Sequence, residues 1–275
     1  RVMFARYLES SFWHFYDSLG LYTVLTIVFE ILVLAVGSAM ELVSPVGLPV
    51  FVVAAVILLL LVCVSSAAQN YFCREELAYR GKRYSTVWVG IKKFSLTYLL
   101  FIGCYLGINA ILIVNTVFYF SIGNSGQYTL VMFCLFALML FIAIMFNILS
   151  LIAFSLPVYC KENNLRAKDI VRLTLQSFFI WPTFWFFVAI FVALISLLLI
   201  VSIVGIPMII TLFSVTSSVG FDCTLKKNEK LIAARDLLGV DVSVSVLKKK
   251  AEQLAADDYM NTNKRSFREL LKPWE

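Results

Sequence analysis

Apolar residues run along this chain in blocks long enough to cross a bilayer, and the connections between the blocks are alternately uncharged and basic. Leu21 to Val43 is the first block. Ser44, Pro45, Gly47 and Pro49 stop it, and Val50 to Asn70 returns as the second. Tyr71 to Phe94 then carries Arg74, Arg80, Lys82, Arg83, Lys92 and Lys93. Ser95 to Phe120 is the third block, Ser121 to Gly126 a turn of small residues, and Tyr128 to Tyr159 the fourth, whose excess length implies tilt or projection beyond the bilayer. Trp181 to Asp222 is apolar throughout, enough for two crossings of about 20 residues each that turn at Gly205-Ile206-Pro207. The pattern predicts an all-α polytopic membrane protein with six transmembrane helices.

Between the blocks lie three amphipathic stretches. In Val2 to Ser18, Phe4, Leu8, Phe12 and Phe15 recur at helical spacing away from Arg6, Glu9 and Asp17, and Trp13, His14 and Tyr16 suit a headgroup layer; the alternative is a simple extension of the first span. Val87, Trp88, Ile91 and Phe94 form a second stripe, and Ile170, Leu173 and Phe178 a third, opposite Lys168, Asp169, Arg172 and Gln176. Two readings fit. One is three hairpin repeats, each preceded by a cytoplasmic interfacial helix and each leaving the membrane near a cysteine, Cys73, Cys160 or Cys223. The other is a six-span protein with ordinary alternation of basic loops.

Charge adds orientation. All 23 Lys and Arg residues lie before the first span, between the second and third, between the fourth and fifth, or after the sixth. The positive-inside rule then places both termini and the basic loops in the cytoplasm, at a cell inner membrane. An odd number of spans would break this agreement. Composition concurs: 61% hydrophobic and 15% charged residues with a mean hydropathy of +0.91 lie far from a soluble domain. The net charge of +6 faces anionic lipid, since the basic residues form no nucleic-acid motif. The chain divides into an interfacial helix at 1–20, a transmembrane domain at 21–223 and a cytoplasmic helical tail at 224–275. In the tail, Ser266 and Glu269 have capping-box spacing, and Phe267, Leu270, Leu271 and Trp274 form an apolar cluster suited to docking a partner or the membrane. Arg80, Lys82, Arg83, Lys92, Lys93, Lys168 and Arg172 are the expected contacts to anionic lipid.

Candidate chemistry is sparse. Glu30 sits near the middle of a span, where a charge costs about 2.5 to 3.5 kcal/mol on insertion scales. It reads either as a proton or cation site or as a neutral acid hydrogen-bonded to Asn109, Asn115, Asn147 or a serine. The three Asn residues would line a pathway with it or glue helices together. Gly103 and Gly107 make a GxxxG face for close helix packing. Thr211, Ser214, Thr216, Ser217, Ser218 and Gly220 make the sixth span the most polar, as a cavity wall or a tightly packed central helix. The six cysteines have no metal-ligand spacing, His14 is the single histidine, and no GxSxG, HExxH or phosphate loop occurs, so neither enzyme activity, metal nor cofactor is expected.

Ala68-Gln-Asn-Tyr-Phe-Cys-Arg-Glu-Glu76, the basic segment ending Gly90-Ile-Lys-Lys-Phe94, and Leu151-Ile-Ala-Phe-Ser-Leu-Pro-Val158 followed by Lys161 to Ser177 resemble a bacterial group: the YesL-like membrane proteins and the membrane domain of some glycerophosphodiester phosphodiesterases. The resemblance spans Leu21 to Lys227 and is one of pattern. It implies an accessory to a transporter and carries no catalytic residues across. Mitochondrial carriers also have three two-span repeats, but Pro157 followed by Val-Tyr-Cys-Lys does not make their Pro-x-acid signature. The expectation is a non-enzymatic subunit of a transport or envelope complex, in contact with membrane lipids and a protein partner and not with nucleic acid. The alternative is a stand-alone transporter of a small or lipidic substrate using Glu30.

Overall fold

The computed structural model describes residues 2–17, 19–43, 48–77, 84–126, 129–201, 206–238, 246–247, 249–251 and 253–254. Among the described residues there are nine helices and no strand: α1 (Val2–Asp17), α2 (Leu19–Val43), α3 (Leu48–Leu77), α4 (Tyr84–Asn124), α5 (Thr129–Ala153), α6 (Leu156–Glu162), α7 (Ala167–Ile180), α8 (Pro182–Val201) and α9 (Ile206–Leu238). The chain forms two compact units, Arg1–Phe221 and Asp222–Glu275. Five helices are long and apolar enough to cross a membrane, namely α3, α4, α5, α8 and α9, while α2 supplies a shorter apolar run, Tyr22–Ser38. The protein is all-α, and its helices are those of a membrane protein.

Three local differences from the sequence pattern have physical causes. The expected interfacial helix at Tyr84 to Phe94 and the third span are one helix, α4. Nothing breaks the junction: Ser95 donates its hydroxyl to the Ile91 carbonyl at 2.6 Å and stays within the helix. Gly90 lets α4 approach α3, since a Cβ there would lie 2.9 Å from Tyr71 Cβ and 3.2 Å from the Ala67 carbonyl oxygen. The α3–α4 seam continues into a core of Cys63, Ala67, Phe94, Tyr98, Ile102 and Val158.

The fourth span, expected to run to Tyr159, ends at Ala153. A turn at Phe154 and Ser155 follows, and α6 starts with Pro157 in its first turn, where the missing N–H and the ring's bulk prevent a continuous helix. Asn164, in the left-handed region at φ 54°, ends α6, and the Leu165 N–H donates to the Cys160 carbonyl at 2.8 Å. The Arg166 N–H then donates to the Asp169 carboxylate at 2.8 Å and opens α7.

Among the described side chains of α1, Tyr7 and Ser11 are buried, whereas Phe12 is exposed. Tyr7 sits edge-on to Phe184 and Phe191 of α8, a contact that draws its face of α1 inward. Phe12 stacks on Tyr16, and Trp13 meets both rings edge-on. In the second unit, Lys226 pairs with Asp222 at 2.7 Å, and the described residues from 246 to 254 are helical.

Candidate functional site

The polar groups of the first unit gather in three places. The innermost is the break between α5 and α6. In a continuous helix the Ser155 N–H would bond the carbonyl four residues back; here it donates to Ser217 Oγ of α9 at 3.0 Å. From the other side, the Tyr98 hydroxyl of α4 donates to the Phe154 carbonyl at 2.8 Å. Freed backbone groups cost several kcal/mol each in hydrocarbon, so these two side chains make the break tolerable. The Phe154 ring meanwhile packs among Tyr98, Phe101 and Phe213.

Next to this joint, α3 meets α9. The Asn70 amide donates to Ser214 Oγ at 3.1 Å and to its own helix at the Ser66 carbonyl, and Ser218 donates to Asn70 Oδ1 at 3.5 Å. Asn70, Ser214 and Ser217 are fully buried. Ser214, Ser217 and Ser218 share one face of α9, and that face is buried and bonded to other residues of the first unit, as in a packed helix. Gly220 continues the close fit, since a Cβ there would meet the Trp185 ring at 2.9 Å. Sequence reasoning passed over Asn70 and Tyr98. The available signal was an amide pair, Gln69-Asn70, following Ser65-Ser66-Ala67-Ala68, a run small enough for close helix contact.

The second cluster links α4 to α5. Tyr105 donates its hydroxyl to Asn147 Oδ1 at 2.6 Å, and the Asn147 amide donates to Asn109 Oδ1 at 3.0 Å. Two of the four expected intramembrane polar residues thus come together. Asn115 does not join them, since its amide donates to the Ile111 carbonyl of its own helix at 2.8 Å. Glu30 stands apart on α2, half-buried, with no hydrogen bond or ion pair among the described residues. Gly103 and Gly107 are exposed, and no atom of the described residues lies within 4 Å of where their Cβ would be, so the GxxxG face packs no helix of this chain among those residues.

The third cluster lies where α3, α4 and α6 carry their basic residues. Arg74 reaches the Glu162 carboxylate at 3.9 Å and sits over the Tyr159 ring at 5.0 Å. Lys161 donates to the Lys93 carbonyl, and the ammonium groups of both lysines lie over the Phe94 ring, at 5.2 and 5.3 Å. Lys92 lies over Trp88 at 5.2 Å. Lys168 and Arg172 are exposed on α7. Arg80, Lys82, Arg83, Phe267, Leu270, Leu271 and Trp274 lie outside the described residues. Burial, with Asp169 adding to it, pushes the Cys160 thiol up to about 11. All six cysteines are free.

Comparison with protein-family models, curated proteins and solved structures finds no match. The bacterial resemblance therefore rests on the residue pattern alone. Among the described residues no cluster of His, Cys, Asp and Glu could hold a metal ion. Chemically, the three clusters can hydrogen-bond helices together and attract anions; none pairs an acid with a base and a nucleophile.

Proposed function

We propose that the chain is a non-enzymatic integral subunit or accessory protein of a transport or envelope complex in the cell inner membrane, with six crossings and both termini cytoplasmic. One observation carries this reading: the polar side chains Asn70, Ser217, Asn109 and Asn147 bond to neighbouring helices, as expected of a scaffold rather than a route. The apolar run in α2 makes the sixth crossing, which keeps every Lys and Arg on one side. The cytoplasmic face and the tail residues Phe267, Leu270, Leu271 and Trp274 dock the partner. Affinity purification in mild detergent tests this: a stoichiometric partner is expected with the full chain and lost on deleting Ser266 to Glu275. A protein that emerges alone contradicts it.

A second reading draws on Glu30, half-buried in an apolar helix with no bond to the described residues. In it the chain transports a small or lipidic substrate, with a proton taken up at Glu30. Glu30→Gln would then abolish the pH dependence of uptake into proteoliposomes. An unchanged profile removes this reading.

A further inference from the structure

We infer that the junction of α4 and α6 is a site for a single anionic phospholipid, with its phosphodiester held by Lys93 and Lys161 and bordered by Lys92 and Trp88. The proposal rests on the orientation given above, in which this end of α4 lies at the cytoplasmic surface. Two ammonium groups from separate helices converge on one buried ring, that of Phe94, and Lys161 is anchored there by the Lys93 carbonyl. Like charges brought together in this way repel unless an anion comes between them. Among the described residues no carboxylate pairs with Lys92, Lys93 or Lys161, whereas neighbouring Arg74 is already matched by Glu162.

The surroundings favour a lipid over a soluble anion. Trp88, Lys92, Leu96 and Leu100 are spaced four apart, so they share one stripe of α4, and all four are exposed. An indole at the headgroup level, a lysine beside it and leucines below are what a glycerophospholipid meets at an interface. Lys93 to Gly103 rises about 15 Å along the helix at 1.5 Å per residue, about half of a 30 Å hydrocarbon core. One acyl chain fits that depth along Leu96 and Leu100.

The test is native mass spectrometry of the full chain in detergent, titrated with phosphatidylglycerol, phosphatidylcholine or inorganic phosphate. A saturable one-to-one adduct with phosphatidylglycerol is expected, and millimolar phosphate should not displace it. Lys93→Gln with Lys161→Gln should weaken the adduct about thirtyfold, the loss expected for two interfacial lysines. Lys93→Arg with Lys161→Arg should keep it, separating lost charge from lost fold. Arg235→Gln with Lys249→Gln removes equal charge from exposed positions of the second unit and should change affinity less than about threefold. Equal losses in the two neutralised pairs would overturn the site while leaving a generally basic face. A native chain with no preference for phosphatidylglycerol over phosphatidylcholine would overturn the lipid site while leaving the orientation, which rests on the distribution of Lys and Arg, and displacement by phosphate would reassign the lysines to a soluble anion.

Discussion

The joint where α3, α6 and α9 meet and the α4–α5 hairpin around Asn109 and Asn147 use the same residue type in opposite surroundings. At the joint, Asn70 is fully buried and reaches a serine of another helix. On the hairpin, Asn147 is exposed and reaches Asn109, one helical turn from Ile144 and Leu106, which are 50% and 49% exposed. The contrast teaches that an intramembrane asparagine reports on what its helix lacks. At the joint, small residues let backbones meet and polar groups close the last gaps. On the hairpin, two apolar helices have little protein around them, and the polar link holds one to the other.

Breaking the close packing around α3 should cost most. Gly90→Val places side-chain atoms against Tyr71 Cβ and the Ala67 backbone, which cannot yield without moving α3. A loss of about 1 to 3 kcal/mol is expected in reversible unfolding in micelles. Asn70→Leu removes the α3–α9 bridge and should cost about 1 to 2 kcal/mol. Asn147→Leu should cost less, about 0.6 kcal/mol, because the chain unfolded in the membrane finds other partners for Tyr105 and Asn109. Asn115→Leu should lie within about 0.5 kcal/mol of wild type, because its amide serves only its own backbone. Equal losses for Asn147 and Asn115 would dissolve the distinction between linking and idle amides.

The smallest expected effect is chemical. Cys160 is held protonated by burial and by Asp169, so it forms thiolate only as pH rises towards about 11. At pH 8 its reaction with a maleimide should be far slower than that of an unperturbed thiol, and should rise steeply with pH. Rapid labelling at pH 8 would mean that α6 does not bury it.

Hydropathy made the five long apolar helices and the basic segments legible, because blocks of Leu, Ile, Val and Phe near bilayer length have few other folded forms. Asn109 and Asn147 were legible as candidates for the same reason: any amide stands out in an apolar run. Their pairing was not legible, since it depends on the rotation of α4 against α5. Tyr98 and Tyr105 were hidden by their rings, which read as apolar although their hydroxyls make the decisive bonds. The end of α5 was misplaced because Pro157 was read as lying inside a long helix. Whether such a proline kinks or breaks a helix depends on partners such as Ser217, sixty-two residues downstream of the Ser155 N–H it receives.

The central claim, that polar groups within the spans fasten helices to one another, is tested most directly by a double-mutant cycle on Asn70→Leu and Ser214→Ala, read from unfolding free energies in micelles. The account predicts that the two losses overlap, with a coupling of about 0.6 to 1.7 kcal/mol, between the average and the maximum found for hydrogen bonds between membrane helices. Strictly additive losses would contradict it and would free both residues for another role.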